Sequence, residues 1–272
     1  MIDWLLTQPI WVQALLAGLL TWGLTAIGAA LVFLFKTLND KVYALMLGFA
    51  SGVMIAASVW SLILPSIEIT IERGGIPWLV PSIGILIGVA FLYAFDKTLP
   101  HLHFGDHEPE GPKTELSRIH LLMFSITLHN IPEGLAVGVA IGAVANAVDP
   151  RVALIAALAV AIGIGIQNLP EGAAVSIPLR QEGMSRFKAF MYGQASALVE
   201  PLFCIIGAVL ISFMKPVLPY ALAFAAGAMI FVVVEELIPE ARNRSTETGA
   251  HYSTFGFTLG FIVMMILDVA LG

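Results

Sequence analysis

The sequence predicts an all-α integral membrane protein with eight transmembrane helices. The chain has 272 residues, of which 58% are hydrophobic and only 12% are charged, and its mean hydropathy is +0.92. Soluble domains carry about 25% charged residues, so this composition indicates a chain that lies mostly in lipid. Eight apolar segments are each long enough to cross a hydrocarbon core that needs about 20 helical residues. They cover about residues 10–35, 42–65, 78–95, 118–145, 151–178, 188–212, 218–240 and 254–271.

The remaining composition excludes several classes of protein. A net charge of −6 argues against nucleic acid as a partner. A single cysteine, Cys204, excludes an internal disulfide and a thiolate-cluster metal site. The first residues, Met1-Ile2-Asp3-Trp4, are acidic rather than basic, so we expect no signal peptide. We expect residues 1–272 to form a single transmembrane domain.

Basic residues set the expected orientation of the segments. Ten of the thirteen Lys and Arg residues fall in the loops that follow segments 1, 3, 5 and 7, and three fall on the other side. Loops rich in Lys and Arg face the cytoplasm. We therefore expect a multi-pass protein of the cell (inner) membrane with both termini outside the cytoplasm.

A motif repeated in segments 4 and 5 is the main functional signal. His129-Asn130-Ile131-Pro132-Glu133-Gly134 and Gln167-Asn168-Leu169-Pro170-Glu171-Gly172 lie 38 residues apart. Each copy places a His or Gln, an Asn and a Glu on one face of a helix. Each proline also leaves the carbonyl four residues earlier without its usual N–H partner. Ionisable residues at this depth are costly and mark functional sites, so we predict a cation site between segments 4 and 5.

Further carboxylates belong to segments 6 and 7, which contain Glu200, Glu235 and Glu236. Polar residues in membrane helices can simply bond one another and hold helices together. That role explains an Asn or a Gln, but it explains poorly a group of carboxylates whose only basic neighbour is His129. Clustered carboxylates without counter-charges take up protons or bind cations.

Ligand chemistry narrows the cation. Imidazole favours Zn, Fe, Ni or Co, whereas Mg and Ca prefer oxygen ligands alone. Protonation of the same ligands should compete with metal, so low pH should weaken binding. Two other functions stay open at this point. One is a cation/proton or cation/cation exchanger, and the other is an intramembrane zinc metalloenzyme, although the chain lacks the His-Glu-x-x-His motif of many such enzymes.

A second, fainter repeat relates segments 2 and 7. Residues 49–55 read FASGVMI and residues 224–230 read FAAGAMI, at a spacing of 175. The two segments are an odd number of helices apart, so they run in opposite directions. Inverted repeats around a midplane site are typical of secondary transporters. We therefore predict three helices, a central pair and three more helices (3+2+3).

Residues near the helix ends have two interpretations each. Glu68 and Asp268 are either interfacial anchors or part of an uptake path, and Asp96 and His101 could line an exit path. The loop at residues 96–117 is rich in Gly and Pro and should be mobile. It contains His101, His103 and His107, and reads either as a weak cytoplasmic metal-holding segment or as a solvated linker.

The paired motifs resemble those of the ZIP (Zrt/Irt-like) divalent metal transporters, in particular their bacterial GufA-type branch. The resemblance implies transport of Zn²⁺, and also of Cd²⁺, Fe²⁺ or Mn²⁺, into the cytoplasm by a homodimer that is not an enzyme. It implies a binuclear site in which Glu133 and Glu171 bridge both positions, with Glu236 as an auxiliary contact on the cytoplasmic side. Many relatives carry His where this chain has Gln167, so fewer strong ligands are expected. The first position would use Met54, His129, Glu133, Gln167 and Glu171, and the second Asn130, Glu133, Asn168, Glu171 and Glu200.

Overall fold

The structure, a computed structural model, describes residues 2–37, 39–98, 118–181, 183–243 and 247–271, and these residues form helices and short connections without a strand. The helices are α1 (Ile2–Leu6), α2 (Ile10–Ala30), α3 (Asp40–Ala57), α4 (Leu64–Glu72), α5 (Leu79–Thr98), α6 (Arg118–Val144), α7 (Pro150–Gln181), α8 (Arg186–Ala195), α9 (Val199–Phe213), α10 (Leu218–Val232), α11 (Ile238–Asn243) and α12 (Glu247–Leu271). The all-helical prediction is confirmed.

Seven helical stretches of the described chain are long and apolar enough to cross a membrane. They match every predicted segment except the fourth, which corresponds to α6. That helix has 27 residues, which is long enough to span a hydrocarbon core. The arrangement of eight spans stays a prediction.

Several helix ends differ from those expected. The second segment, predicted to end near residue 65, continues as a helical stretch from Asp40 to Glu72. The last helix begins at Glu247 rather than near residue 254. The short helix α1 was not predicted, and its Asp3 forms an ion pair with Arg151 at the start of α7. Hydropathy alone does not report such polar extensions and caps.

The helices associate in four pairs that are distant in sequence. The most extensive contacts join α3 to α12, α5 to α10, α2 to α7 and α6 to α9. The predicted repeat exchanges segment 2 with 7, 3 with 8, 1 with 6, and 4 with 5. Under this exchange the α3–α12 pair becomes α10–α5, and the α2–α7 pair becomes α9–α6. The observed packing has the pattern that an inverted repeat requires.

Two π-helical turns interrupt the second and seventh segments at related places. One covers Ser58–Ile63 and the other Val233–Leu237. Each is followed within two residues by a proline, Pro65 and Pro239 respectively. A proline removes one donor and clashes with the carbonyl four residues earlier, and a π turn widens the helix at that point. The two helices therefore continue past their prolines.

Close packing of α6 depends on the small residues Gly134, Gly138 and Gly142. A Cβ atom on Gly134 would lie 2.7 Å from the carbonyl oxygen of Glu200, and one on Gly142 would lie 2.8 Å from that of Ala208. Any larger residue would push α6 away from α9. This stripe of small residues thus holds the motif of α6 directly against the helix that carries Glu200.

Candidate metal centre

Gln167 lies between the two glutamates of the repeated motif. Its side-chain nitrogen Nε2 donates to Oε1 of Glu133 at 2.5 Å and to Oε2 of Glu171 at 3.3 Å. Gln167 and Glu171 are four residues apart on α7, so they share one face, whereas Glu133 reaches the same amide from α6. Helices α6 and α7 both continue through their motif prolines, Pro132 and Pro170. The two copies of the motif therefore meet side chain to side chain.

A second amide–carboxylate pair extends this cluster towards α9. Nδ2 of Asn168 lies 3.0 Å from both carboxylate oxygens of Glu200 and 3.4 Å from the carbonyl oxygen of Thr21. The side chains of Thr21 and Thr25, on α2, are within hydrogen-bonding reach of Glu200. Four helices, α2, α6, α7 and α9, thus contribute polar groups to one buried region.

The side chain of Asn130 is fixed by two hydrogen bonds that its amide nitrogen donates. Nδ2 donates to the carbonyl oxygen of Ile126 at 3.0 Å and to that of Ser196 at 3.3 Å. Ser196 begins the short 3₁₀ turn between α8 and α9. The side-chain nitrogen of Asn130 is therefore directed at two backbone oxygens, and its side-chain oxygen is left for another partner.

Four buried oxygens of this region accept no hydrogen bond. They are Oδ1 of Asn130, Oε2 of Glu133, Oε1 of Gln167 and Oδ1 of Asn168. A buried acceptor without a partner costs about 1–3 kcal/mol, so four in one place call for a shared cause. A bound cation accepts electron pairs from all of them and would remove this cost.

The charge of the region points to the same conclusion. Glu133, Glu171 and Glu200 are buried, with exposed fractions of 1%, 8% and 0%. The buried side chains of the described residues include no Lys and no Arg. Burying uncompensated carboxylates is expensive, and a divalent cation supplies the missing positive charge.

The present side-chain arrangement is not yet a coordination shell. Among the described residues, no three His, Cys, Asp or Glu side chains converge closely enough to hold one metal ion. The amide nitrogens of Gln167 and Asn168 occupy the carboxylate oxygens instead. If these amide groups rotate by half a turn, they present oxygen rather than nitrogen to the same point. The carboxylate oxygens are then available to bind a cation. Rotation of these two amides would therefore free the carboxylates and add two oxygens to the same region.

His129 contacts Glu236, and both side chains lie near Glu171. Its Nε2 contacts Oε2 of Glu236, and the two side chains are 14% and 11% exposed. Both line a small pocket together with Asp96, near the end of α5. The other lining residues are Leu92, Phe95, Leu128 and Phe231. The pocket thus lies between His129 and the end of α5.

The remaining sequence candidates have different positions. Met54 is fully buried in the main apolar core on α3, a helix that packs on α7. Glu68 is exposed on α4, whereas Asp268 is half-buried and accepts a hydrogen bond from Ser61 at 2.5 Å. His101, His103 and His107 lie outside the described residues. A role for Met54 or Glu68 beside a metal stays a prediction.

Sequence reasoning missed Thr21, Thr25 and Ser196. The two threonines are buried four residues apart in an otherwise apolar stretch of α2. That spacing puts them on one helix face, which is the signal that could have identified them. Ser196 contributes a backbone carbonyl, and no side-chain pattern reports such a role.

These features define a multi-pass helical membrane protein whose buried polar groups are carboxylates and amides gathered on four helices. The sequence model described as "ZIP Zinc transporter" matches residues 106–268. Zinc transporter ZIP11 of Homo sapiens is 39% identical, with 96% of this chain and 97% of that protein aligned. Zinc transporter ZIPB of Bordetella bronchiseptica is 37% identical, covering 95% and 81%, and zinc transporter GufA of Myxococcus xanthus is 35% identical, covering 95% and 98%. The chain belongs to the ZIP family, a family of transporters rather than of enzymes.

Proposed function

We propose that this chain carries Zn²⁺ across the cell inner membrane into the cytoplasm, and that Cd²⁺, Fe²⁺ and Mn²⁺ are alternative substrates. The observation that carries the proposal is the group of three buried glutamates and four unpartnered buried oxygens on α6, α7 and α9. Membership of the ZIP family supports the substrate class. A homodimer is the proposed assembly, on the ground of the family resemblance.

The proposed binding step replaces amide donors with a cation. Glu133 and Glu171 would bridge two adjacent ion positions once Gln167 turns its oxygen inward. The first position would also use Met54 and His129, and the second would use Asn130, Asn168 and Glu200. Carboxylates and amides hold zinc less tightly than a shell of thiolates or imidazoles, so the ion can leave again.

The proposed direction of release follows the pocket beside His129. Because His129 contacts Glu236 and shares a pocket with Asp96, an ion that leaves the first position meets these groups next. The positive-inside distribution of Lys and Arg assigns this end to the cytoplasm. Release would then proceed towards the loop that contains His101, His103 and His107.

The test is zinc flux into proteoliposomes loaded with a fluorescent zinc indicator. Wild type should give saturable flux. Glu133→Gln keeps the size of the side chain but removes a bridging charge, so we expect a loss of at least about tenfold, comparable to the loss of a metal ligand or its support. His129→Ala should reduce flux as well.

Glu235→Gln is the matched control. Glu235 is the exposed neighbour of Glu236 on the same π turn, and the change in charge is identical. Its flux should equal that of wild type. Normal flux in Glu133→Gln and His129→Ala would remove the motif from the pathway, and saturable flux that needs an opposing cation gradient would favour an exchanger.

A further inference from the structure

We propose that the two ends of the transport pathway are equivalent parts of the inverted repeat. We propose further that the inner end is the tighter cation site, because it has Glu236 at the position where the outer end has Ser61. The inner vestibule consists of Asp96, His129 and Glu236, and the outer pair consists of Ser61 and Asp268. This inference rests on the proposed function, because it concerns the path of the same ion.

The first step is the equivalence of Ser61 and Glu236. These residues are 175 apart, which is the spacing that relates residues 49–55 to residues 224–230. Both lie in π turns, Ser58–Ile63 and Val233–Leu237, whose first residues are also 175 apart. Sequence repeat and local geometry therefore assign the same register to the two helices.

The second step is the equivalence of Asp96 and Asp268. A pattern of Gly, three residues, Gly, seven residues and Asp occurs twice, at a spacing of 172. In α5 its members are Gly84, Gly88 and Asp96, and in α12 they are Gly256, Gly260 and Asp268. The third segment (α5) and the eighth (α12) therefore correspond residue by residue at a spacing of 172, just as the second and seventh correspond at a spacing of 175.

Helix contacts confirm that the two registers belong to one symmetry relation. A Cβ atom on each of the four pattern glycines would collide with the backbone of the partner helix. Gly88 meets Phe224, and its counterpart Gly260 meets Phe49, a residue 175 earlier than Phe224. The remaining matched contacts are Gly84 with Tyr220, Gly256 with Leu45, Gly227 with Ile85 and Gly52 with Phe257.

The polar contacts at the two ends therefore correspond. Asp96 and Glu236 line one pocket, and the equivalent positions, Asp268 and Ser61, are joined by a hydrogen bond of 2.5 Å. The second carboxylate oxygen of Asp268, Oδ2, is buried without a partner. Each end of the pathway thus has one aspartate at a related position.

The two ends differ in their other ligands. The inner vestibule adds a second carboxylate and the imidazole of His129, whereas the outer pair adds only a hydroxyl. Within the motif repeat, the counterpart of His129 is Gln167, 38 residues later, which lacks a strong nitrogen ligand. Affinity for a divalent cation rises with the number of charged ligands. Zinc should therefore bind the inner end more tightly than the outer end.

The two ends also differ in how tightly their side chains pack. Leu92 lines the inner pocket, and its counterpart at a spacing of 172 is Met264. Met264 is fully buried, and its side chain fills the space beside Gly163 on α7. The position that lines a pocket at the inner end is therefore filled by side-chain packing at the outer end.

The experiment compares zinc transport from the two faces in right-side-out and inverted membrane vesicles of the same cells. Vesicles with Glu133→Gln give the background. Wild type should reach half-saturation at about a tenfold lower zinc concentration from the inner face than from the outer face, since one strong ligand changes affinity by roughly this factor. Glu236→Ser should remove the difference, and Ser61→Glu with Glu236→Ser should reverse it.

Glu235→Ser is the control and should keep the wild-type ratio, because Glu235 is exposed and faces away from the vestibule. If the Ser61→Glu variants do not fold, the wild-type ratio and Glu236→Ser decide the outcome. Zinc transport with equal half-saturation from both faces, or an unchanged ratio in Glu236→Ser, overturns this inference alone. Wild-type transport no greater than that of Glu133→Gln overturns the proposed function together with it.

Discussion

At the scale of single residues, Gln167 controls whether Glu133 and Glu171 are available. Its amide nitrogen now bonds both of them. The motif made the two glutamates and both amides identifiable from sequence, since their spacing puts them on one helix face. Their pairing across helices was not predictable, because the choice between Asn168 and Gln167 as partner of Glu200 depends on how α2 packs against both α7 and α9.

Replacing Gln167 with His should tighten zinc binding. The change removes the donor that occupies the carboxylates and adds an imidazole, a stronger zinc ligand than an amide. We expect about tenfold higher zinc affinity in calorimetry of the detergent-solubilised protein, together with slower release. Gln13→His is the control, because Gln13 is also buried in a membrane helix but lines an apolar groove. Equal gains in both variants would contradict the assignment.

Removing the hydroxyl of Thr21 should weaken transport without abolishing it. Thr21→Val keeps the shape of the side chain but takes away a hydroxyl within reach of Glu200. Losing such supporting contacts to a ligand costs about 10-fold in metal affinity. Zinc flux in proteoliposomes measures the effect, with Thr258→Val as a control that loses only a hydroxyl bonded within α12. A normal zinc affinity in Thr21→Val would exclude this role.

At the scale of helices, sequence predicted the existence and order of the segments well. Long apolar runs give a strong signal, and all eight predicted segments correspond to helices of the structure. The π turns were not predicted, because Pro65 and Pro239 signal a disturbed helix without indicating how the helix absorbs it. The pairing of helices was not predictable either, since contacts such as Gly52 with Phe257 join residues more than 200 positions apart.

A larger residue at Gly52 should separate α3 from α12. The Cβ atom of Gly52→Val would collide with the backbone of Phe257 and lie 2.7 Å from the amide nitrogen of Phe261. We expect a loss of about 1–3 kcal/mol of stability, seen as a lower unfolding temperature in detergent. Gly23→Val introduces the same side chain where a Cβ atom meets nothing within 4 Å, and should leave that temperature unchanged. Equal unfolding temperatures for both variants would show that the close approach is not needed.

At the scale of the whole molecule, three exposed tryptophans lie where the predicted orientation places a membrane interface. Trp4, Trp11 and Trp78 are exposed, by 55%, 50% and 67%, and all lie near ends that the Lys and Arg count assigns to the outside. Tryptophan is enriched at membrane interfaces. Because tryptophan is enriched at both faces of a membrane, these residues indicate helix ends at an interface, and the orientation itself, which rests on the Lys and Arg of the loops, stays a prediction.

Labelling of introduced cysteines tests this orientation. The native Cys204 is buried, so the unmodified chain should react little with a membrane-impermeant maleimide. Val148→Cys, in the connection between α6 and α7, should react in intact cells, whereas Gln181→Cys, at the end of α7, should react only after permeabilisation. The opposite pattern would invert the proposed direction of transport.

The four helix pairs also have a consequence for how the chain is made. None of the main partner helices are neighbours in sequence. Each helix packs against one that is synthesised later: α2 against α7, α5 against α10, α6 against α9, and α3 against α12. While the ribosome is still translating the second half, Gly48 and Gly52 of α3 have no helix against them, and Glu133 enters the bilayer before Glu200 has been synthesised. We therefore expect a chain truncated before α12 to be less stable than one that includes it, because this face of α3 then has no partner helix.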